Sequence, residues 1–252
     1  MSQTLDQAFE ILTEGAGRLA VSFTREQLDL LRQYCTQLSA YNEHTNLVSD
    51  ASPLTVVNEH ILDSLALVRF AKECIVNGGK PASLIDIGCG AGLPGVVLAI
   101  ALPELQVTLL DSVGKKIRFI RSFVESTGLE KRVHPVCGRA EALAHQIQYR
   151  EKFQLATARA VGPIEVVAEI TLPFLAPAGR LLLQKSISQL QETSIQARSC
   201  LPKLGGELIE ATAFDTTVLV KERALVVVEK KSKTPAKYPR DWPEIKARPV
   251  GT

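Results

Sequence analysis

The sequence holds no apolar run near the roughly 18 residues that a membrane span requires; the longest, Val96 to Leu102, falls far short. Its first residues, Met-Ser-Gln-Thr-Leu-Asp-Gln-Ala-Phe-Glu, carry acid where a secretory leader carries base, so no leader is expected. No Cys-x-x-Cys or His-x-x-x-His occurs. The five cysteines (Cys35, Cys74, Cys89, Cys137, Cys200) and four histidines are dispersed, which argues against a disulfide framework and a zinc cluster. A reducing cytoplasm and no bound metal are the expectations. The net charge of +2 is too mild to announce a nucleic-acid partner by itself. No internal repeat is found.

Several nucleotide signatures are also missing. The chain turns on Ser83-Leu-Ile-Asp-Ile-Gly-Cys-Gly-Ala-Gly-Leu-Pro-Gly95, an apolar run that ends in an acid and a glycine cluster. A dinucleotide fingerprint would need Gly or Ala at position 93, which is Leu93, and no Gly-Lys-Ser/Thr follows for a phosphate loop. The Asn/Asp-Pro-Pro-Tyr/Phe run of enzymes that methylate amino groups of bases is replaced by Ala158-Arg-Ala-Val. Neither Cys89 nor Cys137 stands where a carbon-5 pyrimidine nucleophile would.

What is present has a clear order. At 252 residues and 46% hydrophobic, the chain can bury a full core. A helix is expected over Thr4–Gly15, and a longer one starts at Thr24, with Gln27 completing a capping box, and runs to about Glu43. Asn42–Ser49 reads as a loop, and Ser52-Pro53 restarts a helix that carries its apolar face through Ile61, Leu65, Val68 and Phe70. Asn77–Pro81 breaks the chain.

Beyond it, short apolar runs alternate with helical segments. Strands are expected at Ser83–Ile87, Gln106–Asp111, Arg132–Cys137, Phe153–Ala158, Gly179–Gln184, Glu207–Ala213 and Arg223–Lys230. The helices between are Leu93–Ala101, Val113–Thr127, Ala140–Gln148, Pro163–Leu175 and Ile187–Leu201. This alternation predicts an α/β, Rossmann-like fold with a mostly parallel seven-stranded sheet. A turn at Asp215-Thr-Thr would make the last two strands an antiparallel edge hairpin. The organisation expected is a helical region over 1–80, a cofactor-binding domain over 81–230, and a basic tail over 231–252 whose repeated prolines deny it regular structure.

Gly88, Gly90 and Gly92 fall at the first strand-to-helix turn, where positive φ and a bare backbone admit a ligand and the helix N-terminus offers N–H groups. Asp111 closes the second strand, and its carboxylate can accept both hydroxyls of a ribose. Together these resemble the S-adenosylmethionine motifs of Rossmann-like methyltransferases. Ser112 and Val113 enter an adenine-sized loop, and Ala140 and Glu141 begin the helix after the third strand, although Glu141 taken alone could simply favour that N-terminus. Arg159 and Lys185 are bases at the ends of the fourth and fifth strands, an edge where α/β sheets bind ligands. No general base or nucleophile is evident. Guanine N7, with a free lone pair and no proton to lose, needs only alignment; a small-molecule O- or S-methyltransferase would pass the same test.

One family resolves that choice by resemblance. Asn46-Leu-Val-Ser, His60-Ile-Leu-Asp-Ser, Leu84-Ile-Asp-Ile-Gly-Cys-Gly-Ala-Gly-Leu-Pro-Gly, Leu110-Asp-Ser-Val-Gly-Lys-Lys-Ile-Arg-Phe, Arg139-Ala-Glu, Ala158-Arg-Ala and Lys237-Tyr-Pro-Arg resemble the RsmG (GidB) family of bacterial 16S ribosomal RNA guanine-N7 methyltransferases, over nearly the whole chain. The resemblance implies S-adenosylmethionine contacts at Gly88, Leu93, Asp111, Ser112, Val113, Ala140, Glu141 and Arg159, with Gly90 in the same loop. It also implies that RNA meets the sheet edge, the His60–Asp63 helix and the basic tail, although His60 taken alone is equally a satisfied histidine at a helix start. The expectation is a cytoplasmic, monomeric enzyme in which Arg159 orients the cofactor carboxylate or the target and Lys185 holds RNA. Lys115, Lys116, Arg118 and Arg121 suit phosphate contact or a solvated face. Members often continue after Tyr-Pro-Arg with a Gly-containing, strongly basic end, whereas this chain has Asp241-Trp-Pro-Glu.

Overall fold

A computed structural model describes residues 2–76, 82–159, 161–214 and 217–251. The chain break expected at Asn77–Pro81 and the turn at Asp215-Thr216 lie outside them. The short apolar runs become the parallel strands β1 (Ser83–Ile87), β2 (Gln106–Asp111), β3 (Val133–Cys137), β4 (Phe153–Ala158) and β5 (Leu175–Ser186). β6 (Gly206–Ala213) and β7 (Arg223–Lys230) complete a seven-stranded sheet of order β3-β2-β1-β4-β5-β7-β6. β7 is antiparallel to both neighbours, as the missing helix between the last two strands implies.

Register explains where a site can form. Ile87 at the end of β1 pairs with Leu110 on one side and Ala158 on the other, and Asp111 pairs with Cys137. Gly88, Asp111, Gly138 and Arg159 therefore stand along one carboxyl edge, the crevice where open α/β sheets hold ligands.

Alternation along the strands divides the core in two. Leu84, Val107, Leu109, Leu155, Leu182, Leu225 and Val227 face α6 (Gly95–Ala101), α7 (Gly114–Thr127) and the N-terminal helices α1 (Ser2–Arg18) and α2 (Arg25–Thr45). Ile85, Ile87, Ala156, Leu181, Leu183 and Val226 face α8 (Ala140–Leu143), α9 (Ile164–Thr171) and α10 (Leu190–Leu204). The Thr24–Gln27 capping box starts α2 as expected, and the fully buried Tyr34 of α2 donates to the Ala91 carbonyl at 2.9 Å, tying this helix to the glycine turn.

Five expectations about local structure change. Helix α2 runs on to Thr45, and Asn42 caps the loop after it by accepting the N–H groups of Leu47 and Val48 at 2.6 and 3.0 Å. The helix begun at Ser52 is not uniform: after α3 (Pro53–Thr55) comes a π-helical stretch, Val56–Ile61, then α4 (Leu62–Leu65) and α5 (Val68–Val76). The helix expected over Ala140–Gln148 stops at Leu143, and β5 is longer than Gly179–Gln184. Most consequentially, the tail is no extended arm. It forms α11 (Trp242–Ala247), with Pro243 in the first turn, where a missing N–H costs nothing, and Ile245 and Val250 are buried in the second core.

Candidate active site

The glycine turn is held from below by two acids. Gly88, Gly90 and Gly92 have φ of 68°, 59° and 95°, a region open to glycine at little cost. Beneath them Asp86 is fully buried: its Oδ2 accepts the Gly95 N–H at 2.9 Å and its Oδ1 the Thr157 hydroxyl at 3.0 Å. Burial pushes the Asp86 carboxyl up to about 7 despite both bonds. This corrects one expectation, since the first N–H groups of α6 are taken within the chain, Gly95 by Asp86 and Val96 by the Gly92 carbonyl at 2.6 Å. These two N–H groups of the helix start fasten the turn and are not free for an anion.

Asp111 shapes the turn from the side. Its Oδ2 accepts the Gly90 N–H at 2.9 Å, its Oδ1 the Val113 N–H at 2.8 Å, and Lys116 Nζ stands 3.6 Å from Oδ2. These bonds fix the carboxylate at the wall of a cavity. That cavity, of about 270 Å³, is lined by Gly88, Asp111, Ser112 and Val113, by Ala140 and Glu141, and by Arg159. A Cβ on Gly90 would meet nothing within 4 Å, so the turn faces open space there. A bare backbone, a ribose-sized acceptor and an apolar flank fit S-adenosylmethionine.

A second cavity, of about 780 Å³, adjoins it and also contains Arg159. Its walls carry Lys185, Lys221 and Arg223 beside Glu59, His60 and Gln184. Arg159 is held here by Asp63, 1% exposed, at 4.0 Å, while Arg223 binds the same carboxylate through Nε at 2.9 Å and Nη2 at 2.8 Å. Gln184 Nε2 donates to the Asp63 carbonyl at 2.6 Å. Burial lowers the pKa of Arg159, but a guanidinium has ample margin to stay charged. Lys185 Nζ donates to the Gly162 carbonyl, and burial lowers its pKa too.

The π-helical turn keeps Val56, Val57 and Ile61 in the core while Glu59 and His60 face the larger cavity. Burial, and next the Arg159 charge, press the His60 imidazole down to about 4, and its Nε2 has no hydrogen-bond partner. His60 is thus neutral at physiological pH. An unfolded histidine titrates near about 6.5, so the stability from keeping His60 neutral is complete above that pH and is lost as pH falls through about 4. Ring resonances of the labelled protein should give His60 a midpoint near 4; a midpoint near the unfolded value would contradict this environment.

The structure thus gathers most of the expected residues and separates three. Leu93 is 4% exposed, within the first core and absent from the cavity lining. Gly90 acts through its N–H, and Lys185 belongs to the larger cavity. Asp63 presents nothing outward, because its carboxylate holds the two arginines. Lys115 donates to the Thr45 carbonyl at 2.5 Å and Lys116 faces Asp111, so of the four bases on α7 Arg118 and Arg121 remain for an outside phosphate. Sequence reasoning missed Arg223 and Gln184, and it missed Trp242, which lines the smaller cavity from α11.

Comparison with known proteins agrees with this geometry. The fold is shared with the carbon methyltransferase CurJ, at a TM-score of 0.56 and 12% identity, covering 90% of this chain and 71% of that one. It is also shared with TrmN from Thermus thermophilus, at a TM-score of 0.50 and 18% identity over 68% of this chain and 48% of that one. The protein named ribosomal RNA small subunit methyltransferase G of Leuconostoc mesenteroides is 35% identical over 96% of this chain and 98% of its own. Its namesake in Desulfitobacterium hafniense is 37% identical over 88% and 89%. The model of the GidB family, described as rRNA small subunit methyltransferase G, matches residues 27–216. The chain belongs to the GidB family.

Proposed function

We propose that this protein transfers the methyl group of S-adenosylmethionine to N7 of one guanine in 16S ribosomal RNA. The observation that carries this reading is the meeting of two cavities at Arg159, one built for the cofactor and one larger and rich in bases. The names of the relatives supply the ribosomal substrate. S-adenosylmethionine, when bound, supplies an electrophilic methyl on a sulfonium.

The chain's own residues do the positioning. Gly88, Ser112, Val113, Ala140 and Glu141 form the cofactor bed, Gly90 holds the Asp111 carboxylate through its N–H, and Asp111 accepts from the ribose. Arg159 orients the reacting partners, while Lys185 and its basic neighbours hold the RNA. His60, being neutral, adds no charge to repel the Arg159 guanidinium. Because guanine N7 carries no proton, alignment replaces proton transfer. The helical region of residues 1–80 and the basic residues beyond 230 extend the RNA-facing surface around the central domain of 81–230, and the enzyme acts as a monomer in the cytoplasm.

Asp111→Ala should weaken S-adenosylhomocysteine binding by about 1–3 kcal/mol in calorimetry, the cost of removing a hydrogen-bonded carboxylate. Unchanged affinity would remove Asp111 from the ribose role. Incubation with tritiated cofactor and small ribosomal subunits lacking the modification should label 16S RNA. No label above a heat-killed control would sink the proposal.

A further inference from the structure

The tail of this chain is pinned to the molecule at successive points. Arg150 donates to the carbonyls of Thr234 at 2.9 Å and Tyr238 at 3.0 Å, and His145 Nε2 lies 2.8 Å from the Pro239 carbonyl. Arg240 then clamps Glu169 with three bonds, from its backbone N–H at 2.9 Å, Nε at 2.8 Å and Nη2 at 2.6 Å, onto a carboxylate that is fully buried. These contacts precede Trp242 and fix where α11 begins.

What they deliver is an indole at the rim of the smaller cavity, beside Ala140, Val161 and Ile170. The helix already has its anchor in Ile245, which is 0% exposed. Trp242, by contrast, stays half-buried and open to the cavity. The indole packs on the second core with one side and leaves the other on the cavity.

We propose that Trp242 is a wall of the cofactor site and packs against the adenine ring, which makes the tail part of the binding site. This rests on reading the smaller cavity as the S-adenosylmethionine site. The cavity has two chemically distinct parts. Asp111, Lys116 and Glu141 serve hydroxyl and amino groups, whereas Val113, Ala140, Val161, Ile170 and Trp242 offer an apolar slot. A purine is flat, apolar on its faces and polar at its edge, and an indole supplies the matching flat surface.

Trp242 is the only tryptophan, so its emission reports on this wall alone. Titrating the full chain with S-adenosylhomocysteine should change that emission along the isotherm that calorimetry records. Trp242→Ala should weaken S-adenosylhomocysteine and 5′-methylthioadenosine alike, by about tenfold, and Trp242→Phe should restore most of the loss. Unchanged emission at calorimetric saturation overturns the proposal, and so does full affinity in Trp242→Ala. A loss confined to S-adenosylhomocysteine also overturns it, because the indole would then lie away from the adenine. If the unaltered protein binds neither ligand, the cofactor reading itself fails, and this inference with it.

Discussion

Arg159→Met should lower kcat at saturating cofactor by about 10²–10³, the range seen when one preorganised charged or hydrogen-bonding group is taken from a reaction site, while leaving the fold intact. Two facts separate activity from stability here. Arg159 is the residue common to both cavities, so its loss acts where cofactor and target meet. Its partner Asp63 retains Arg223 at 2.8 and 2.9 Å, so no buried carboxylate is left alone. Arg159→Lys should recover little, because an ammonium is a compact point charge and cannot reproduce the planar fork. Single-turnover rates beside thermal melts decide the matter. A kcat within threefold of the unaltered enzyme, taken as about the scatter of such comparisons, would remove Arg159 from the reaction centre.

The largest effect on stability is expected at the tail. Glu169 is 0% exposed and receives all three of its bonds from Arg240, whose pKa is raised chiefly by the side-chain bonds to that carboxylate. Arg240→Met keeps only the backbone donor and leaves a buried charge uncompensated, a change that typically costs about 3–5 kcal/mol. Pairing it with Glu169→Gln removes the charge as well and should return much of the loss. Urea unfolding of both single variants and the double variant closes the cycle. A loss below about 1 kcal/mol in Arg240→Met, the worth of an exposed ion pair, would show that the clamp is not a buried pair.

These two sites also show what a sequence discloses. The parallel strands are legible because strands buried on both faces read as short apolar runs, as in Leu181–Leu183. The Thr24–Gln27 cap is legible because its two reciprocal bonds are local. Asp111 and Arg159 are legible as strand-end residues, since register alone brings them beside Gly88. The π-helical turn at Val56–Ile61 is not, because the phase shift from one extra residue is too local to stand out from a 3.6-residue pattern read over so few turns. Nor is the tail. Pro239 and Pro243 look like breakers until Pro243 is seen in the first turn of α11, and the partners of Arg240 and Trp242 lie about 70 to 130 residues back in the chain, beyond any local pattern. The family resemblance implies a cofactor contact for Leu93, yet it packs inward, whereas Lys185 stands at the strand end that predicts it and lines the larger cavity.

The central claim is tested most directly by identifying the modified nucleoside. Small ribosomal subunits lacking the modification, treated with this protein and S-adenosylmethionine, should yield one new 7-methylguanosine when their 16S RNA is digested and examined by mass spectrometry. Arg159→Met should yield far less in the same time. A methyl group found on another atom or base, or no new methylated nucleoside at all, would contradict the account.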